Sequence, residues 1–509
     1  MIEQLGLNGI PLLSLIFLLP IIASVPTYLV GKLRNELAKY VALLASGVVL
    51  VLTVVAWLTY TEPTGNAWFA LTEKLDIGLE ESLGMSYSLG VDGLSLPLVI
   101  LSGFIFLVAV LASFKDIHDR EPAYYAMILL LETGVVGTFV ATDFIIFYVA
   151  WELVLVPMFF LIGIWGGPKK EYAAIYFFIY THVASLFMLL GIVGLWLESA
   201  NYTGTSIGTF SFSVLASNMD KFTGPFVLLV FLALLFGFIV KVPSVPFHTW
   251  LPLAHVEAPT PGSMILAGLL LKMGGYGLLR MGGWFLPNAL AEFAWLVATI
   301  GLVSLLYGSW VALRQIDMKS LVAYSSVGHM GVILLGAATQ SPEGFAAAMY
   351  MQIAHGIISP LMFFVAGTIG HAAHTRDIPN LKGIAKAMPV LAAVMVFGAF
   401  ASAGLPGLAG FWAELLVFVS LFAWGEFGRI LAFIGVLGII FTAAYYLWML
   451  QRTVFGDVNP DLADVHDVNH WSQFVVLAAL CFFTLLLGIA PFLLLDLMGA
   501  ASWPMAAAG

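Results

Sequence analysis

Charge is what this chain has least of. Asp, Glu, Lys and Arg make up 9% of its 509 residues, where a soluble globular chain carries about 25%. That shortage excludes a water-soluble enzyme. Cysteine is rarer still: Cys481 stands alone, so the chain can form no internal disulfide and cannot supply an iron–sulfur cluster or a thiolate zinc site. Basic residues are outnumbered, giving a net charge of −10, the opposite of the basic footprint that nucleic acid requires.

What is present is hydrophobic sequence, 61% of the whole. Apolar runs fall at Ile10–Val30, Tyr40–Tyr60, Gly93–Phe114, Tyr124–Ala141, Phe144–Trp165, Tyr172–Leu197 and Phe226–Val242. Others follow at Thr260–Gly282, Ala291–Leu313, Leu321–Ala338, Phe345–Gly370, Val390–Phe422, Ile430–Leu450 and Phe474–Leu495. At roughly 20 residues per crossing these predict an all-α polytopic membrane protein of about 14 transmembrane helices. The first run is read as a retained helix and not a signal peptide, because Glu3 is the only charge before it and no basic n-region is present.

Two runs are interrupted. Lys241-Val-Pro-Ser-Val-Pro246 breaks the seventh and Gly404-Leu-Pro-Gly-Leu-Ala-Gly410 the twelfth. Proline and clustered glycine free backbone groups that need protein or water partners, so such breaks line cavities. The seventh and twelfth runs are an odd number of spans apart and each carries one ionisable residue beside its break. This predicts two inverted five-helix repeats. Residues 1–92 then hold helices 1 and 2 with an outer loop and 93–122 the third helix. Residues 123–283 form the first five-helix unit (helices 4–8), 284–455 the second (helices 9–13), and 456–509 carry the last helix.

Loop charge sets the orientation. With the N-terminus outside, the inner loops hold Lys32, Arg34, Lys39, Lys115, Arg120, Lys169, Lys170, Arg314, Lys319, Arg376, Lys382, Lys386 and Arg452. The outer loops hold Lys74, Lys221, Arg280 and Arg429. The large acidic outer loop from Thr61 to Asp92 is expected to form a small structured cap.

The two remaining basic residues, Lys241 and Lys272, fall inside spans. Ionisable groups at bilayer depth cost several kcal/mol, which makes them functional candidates. Glu152 in the fifth span, Glu414 beside the twelfth-span break and Glu132 in the fourth complete the set. One isolated Glu–Lys pair could simply lock two helices together. Two lysines and several carboxylates on different spans are harder to assign to scaffolding, because apolar packing stabilises at least as well. His329 and His355 add titratable groups that suit proton transfer between these charges. His182 is read as a packing residue, and His248 and His255 as stabilising the turn into the eighth span. Burial favours a neutral lysine and a nearby carboxylate restores its charge, so a chain of such groups can pass a proton stepwise. No phosphate-binding glycine motif, metal-spaced Cys/His set or serine–histidine constellation accompanies them. The pattern is that of an ion path without a redox centre or cofactor of its own.

Several motifs are similar to those of the antiporter-like membrane subunits of respiratory complex I. They are Asp92-Gly-Leu-Ser95, Trp151-Glu152-Leu-Val-Leu-Val-Pro157, Pro246-Phe-His-Thr-Trp-Leu-Pro-Leu-Ala-His255-Val-Glu-Ala-Pro-Thr260, and Ile265-Leu-Ala-Gly-Leu-Leu-Leu-Lys272-Met-Gly-Gly-Tyr-Gly277. Ala323-Tyr-Ser-Ser-Val-Gly-His329-Met-Gly and the Gly404 stretch agree with them. The likeness spans about Asp92 to Arg452 and most resembles the chain M type, also called subunit 4.

The resemblance implies a fourteen-helix core with inverted repeats, and proton translocation driven by remote quinone reduction. Flavin and iron–sulfur clusters would then sit in partner subunits, with chains of the L and N types as membrane neighbours. By position, Glu152 and Lys241 match the family's coupling pair, Lys272 its central lysine, Glu414 its outlet carboxylate, and His329 and His355 its linking residues. Leu253 departs from the usual aspartate, with Glu257 as a substitute nearby, and the bulky Trp412 is expected to narrow the outlet. The implied setting is a prokaryotic cell membrane. A sodium/proton antiporter subunit, or the membrane arm of a hydrogenase, is the alternative; a purely structural anchor is disfavoured by the buried charges.

Overall fold

The computed structural model describes residues 2–4, 9–63, 67–203, 207–462 and 465–499; parts of the end units 1–92 and 456–509 lie outside them. Among the described residues, twelve helices are long and apolar enough to cross a bilayer, from Leu12–Leu33 to Trp471–Ile489. Apolar helices too short to count among these fall at the two interrupted runs: Pro225–Lys241 at the first, and Pro389–Ser402 with Ala409–Ala423 at the second. The helix that ends at Lys241 resumes as Trp250–Glu257. The chain is an integral multi-pass membrane protein, and its outward side chains fit that setting: Leu44, Val51, Leu190, Phe433 and Ile489 are exposed.

The eighth span, Thr260–Phe285, is the core. It is buried throughout and its helical pitch widens twice, at Leu266–Leu270 and at Leu279–Phe285. Such wide turns leave carbonyls off the regular ladder and recur at functional positions. The fifth span has an interruption the sequence reading lacks, between Leu153 and Leu155. Its cause is Pro157, whose ring cannot donate and crowds the carbonyl four residues earlier.

Loops gather into two ends. At one, Gly167 N–H donates to Glu257 O (2.8 Å) and Ile378 N–H to Ile316 O (2.9 Å), while Arg376 pairs with Asp317 at 3.0 Å. At the other, Ile2–Gln4, Ala70–Leu75 and Tyr87–Val91 form a three-stranded antiparallel sheet. This is the cap expected between Thr61 and Asp92, with strands added to an otherwise helical chain. Asp143 ties the sheet to the fifth span, accepting from Ser86 N–H (3.0 Å) and Ile145 N–H (2.9 Å). Burial pushes its carboxyl up to about 6.

Two of the basic residues assigned to loops are buried inside helices instead. Arg280 lies inside the eighth-span helix, fully buried, and grips Asp92 with both terminal nitrogens at 2.7 Å. Rings of Trp284, Phe69 and Tyr276 flank its guanidinium at 4.2–5.3 Å. Lys319 lies in the first turn of Met318–Thr339 and is also buried. A bidentate carboxylate partner makes an arginine tolerable there.

Candidate functional site

Lys272 lies between the two widened stretches of the eighth span. Its Nζ donates to Ala267 O at 2.5 Å, a carbonyl five residues back in the wide turn, and lies 2.6 Å from His355 Nδ1. When Lys272 is the ammonium it can only donate, so Nδ1 of His355 is then the acceptor and the ring proton sits on Nε2. That Nε2 is buried without a partner.

His329 completes the complementary half. Its ring lies 5.4 Å from that of His355, centroid to centroid. Nε2 lies 3.0 Å from Ser402 O; a carbonyl only accepts, so Nε2 carries the proton and Nδ1 presents a lone pair. That Nδ1 is also unpartnered. A donor without an acceptor and an acceptor without a donor thus occur on adjacent rings.

Both rings border one small cavity with Ser402, Gly410 and Glu414, where space for a water's centre amounts to about 10 Å³. About 10–15 Å³ measured this way holds one water. Glu414 Oε1 is buried and unpartnered. The carboxylate packs against Gly404, whose backbone is left-handed (φ +72°) and whose missing side chain leaves the room that Glu414 occupies. The break between Ser402 and Ala409 is therefore what frees the Ser402 carbonyl and seats the carboxylate. Lys272 thus touches His355, and His355, His329 and Glu414 share one cavity.

The remaining sequence candidates are placed differently. Glu152 does not pair with Lys241; its Oε2 lies 2.9 Å from His182 Nδ1. Lys241 Nζ is buried without a hydrogen-bond partner, held over the rings of Trp151 (5.4 Å) and Phe177 (6.0 Å). Glu132 accepts from Ser46 Oγ at 2.8 Å, its other oxygen unpartnered. His255 stacks on Phe363 (4.2 Å, 8°), with both ring nitrogens unpartnered. His248 packs on the Tyr307 ring.

Sequence reasoning missed two residues. His182, set aside as packing, is the partner of Glu152. Lys319, counted with the loops, lines a cavity of about 460 Å³ at the basic end, with Glu257, His371, His374 and Arg376. Its Nζ donates to Ala258 O at 2.8 Å. Glu257 accepts from Lys169 N–H at 2.8 Å, so a carboxylate does stand at this mouth although Leu253 carries none. Trp412 does not border the Glu414 cavity; it donates to Gly488 O (2.8 Å) and ties the last span to the twelfth. Among the described residues, no group of three or more His, Cys, Asp or Glu could hold a metal.

Residues 141–442 match the family model described as NADH:quinone oxidoreductase/Mrp antiporter, TM. Residues 14–138 match NADH-ubiquinone oxidoreductase chain 4, amino terminus. The chain is 41% identical over 492 residues to F(420)H(2) dehydrogenase subunit M of Methanosarcina mazei, covering 96% of this chain and 97% of that one. It is 37% identical to NADH-quinone oxidoreductase subunit M of Rhodobacter capsulatus, covering 96% and 95%. Its fold superposes on a chain of respiratory complex I from Thermus thermophilus with a TM-score of 0.85, 27% identity, and coverage of 98% and 100%.

Proposed function

The chain belongs to the NADH:quinone oxidoreductase/Mrp antiporter family of membrane subunits, and on that premise we propose that it is the proton-translocating subunit of a redox-driven pump. The observation that carries this is the line from Lys272 through His355 and His329 to Glu414. A proton leaving Lys272 enters His355 at Nδ1. The imidazole releases its other proton from Nε2 through one water to Glu414 Oε1, directly or by way of His329 Nδ1, which takes the proton and gives it up at the same nitrogen because its Nε2–H stays on the Ser402 carbonyl. Each donor on the route faces a group with a vacant lone pair.

Lys319 and Glu257 at the 460 Å³ mouth are the inlet side, and Glu414 the outlet side. Glu152 and Lys241 form the coupling element toward the redox machinery. Glu132, which accepts from Ser46, has no shown contact with this line. Flavin and iron–sulfur clusters belong to partner subunits, with NADH, reduced deazaflavin or ferredoxin as the remote donor and a quinone as acceptor.

Glu152 and His182 are 22% and 39% exposed on the chain's flank. A polar pair facing hydrocarbon is costly, so protein covers this flank; neighbours of the L and N types suit it. The N-terminus is outside, in a prokaryotic cell membrane, as the loop charges favour. The matching breaks after Lys241 and Ser402 support inverted repeats over 123–283 and 284–455.

Purification through a tag on this chain in mild detergent tests the reading. Flavin and iron–sulfur iron in a large co-purifying assembly are expected. Small membrane partners alone, free of both, would favour the sodium/proton antiporter.

A further inference from the structure

Glu152 has a partner that leaves Lys241 without one. Three helices meet here: Phe144–Leu153 brings Glu152, Lys170–Thr203 brings His182, and Pro225–Lys241 ends on the lysine. Glu152 Oε2 is taken by His182 at 2.9 Å, while Oε1 is buried and empty-handed. Lys241 rests on the ring of Trp151, the residue beside Glu152, and on Phe177 of His182's own helix. Leaving one member of a buried charge pair unmatched is strongly unfavourable. Because the lysine rests on Trp151, the residue next to Glu152, a side-chain movement can bring the carboxylate's free oxygen toward it.

We propose that His182 is a positioning residue that competes with Lys241 for Glu152. While the imidazole is protonated it holds the carboxylate as an ion pair and Lys241 stays unmatched. When the imidazole loses its proton only a neutral hydrogen bond remains, and Glu152 swings to Lys241. Two local features make the exchange feasible. Glu152 sits at the Pro157-induced interruption, where the helix is not continuous. The His182 ring is held in place by stacking on Phe178 (5.5 Å, 18°), so the carboxylate is the part that moves. Because His182 is half-buried on the flank, its proton answers to whatever subunit covers it. This makes the pair a device by which a neighbour sets the state of Lys241.

The inference rests on the pumping role proposed above for its purpose, but not for its chemistry. Of the helices packed on that of His182, Phe144–Leu153 carries Glu152 and Tyr148 and Pro225–Lys241 carries Lys241. Leu155–Trp165, also packed on it, carries none. Trp250–Glu257 carries His255 and Glu257, which are directed to Phe363 and to the Lys169 amide.

Infrared difference spectroscopy of the intact purified complex as a function of pH reads this directly. The Glu152 carboxylate band is identified by its loss in Glu152→Gln. The expected result is a step in that band in the wild type that disappears in His182→Gln, whose amide keeps a hydrogen bond to the carboxylate and so preserves folding. His182→Asn, with a shorter amide, serves as the second variant and loses the step as well. An unchanged step in either well-assembled variant would overturn the inference. A complex that shows the step but does not pump would instead contradict the proposed function and leave His182 in its role.

Discussion

Lys272 and His355, 83 positions apart in sequence, are joined by a contact of 2.6 Å at the centre of the bundle. Neither has another way to satisfy its role: the lysine's second contact is a backbone carbonyl and the imidazole's other nitrogen is unpartnered. The lysine can discharge only through the histidine, and the histidine can pass a proton on only through its far nitrogen. Replacing the ring by a shape without nitrogens therefore interrupts the line at its start. His355→Phe is expected to slow proton translocation by about 10²-fold, the scale of a lost acid–base group, while the complex still assembles. Proton uptake by vesicles, normalised to complex content, checks it.

The break at Gly404 offers a test without touching an ionisable group. A Cβ at Gly404 would collide with Glu414 Oε2, and the left-handed backbone adds strain, about 1–2 kcal/mol for a non-glycine residue. Gly407 is also left-handed (φ +91°) but has open space around it. Gly404→Ala should impair pumping as severely as Glu414→Gln, whereas Gly407→Ala should lower stability only. Equal pumping in the two alanine variants would separate Glu414 from the outlet.

Asp92 and Arg280 pin the strand-bearing cap to the eighth span. Removing one partner leaves a buried charge unmatched, a loss of about 3–5 kcal/mol. Arg280→Ala should sharply reduce the assembled complex recovered from membranes, and Arg280→Met with Asp92→Leu should restore much of it. Blue-native electrophoresis reads both.

Asp143 gives the cap a pH dependence of defined sign. Its folded carboxyl titrates at about 6 because burial disfavours the charge, above the ordinary 3.8. The folded state therefore binds the extra proton between those values, and this group's contribution to stability rises as pH falls through about 6. Measured as the melting difference from Asp143→Asn, the wild type should gain relative to the variant on going from pH 7 to pH 5. A difference that is flat with pH, or of opposite sign, would contradict the assignment.

How far the sequence led can be judged residue by residue. Long apolar runs reveal spans because only a helix satisfies its backbone within lipid. Both long breaks were legible because proline and clustered glycine act locally. Lys241, Lys272 and Glu414 stood out because charge in such runs is rare. What could not be read were partners across helices: nothing local to Glu152 points to His182, 30 positions on. Arg280 was mistaken for a loop residue because Gly282 and Gly283 follow it, and its carboxylate partner lies 188 positions away. Lys319 follows the polar stretch Arg314–Asp317, which hid its burial. The interruption after Glu152 did have a signal in Pro157. The strands of the cap are three to six residues long, too short for alternation to declare them.

The central claim is that protons travel along Lys272, His355, His329 and Glu414, and the most direct measurement is the ratio of protons moved to electrons transferred. The purified complex, reconstituted in sealed vesicles, would be compared with Lys272→Met at equal assembly. A clear fall in that ratio is the expected result. An unchanged ratio in a well-assembled variant would place the proton path elsewhere.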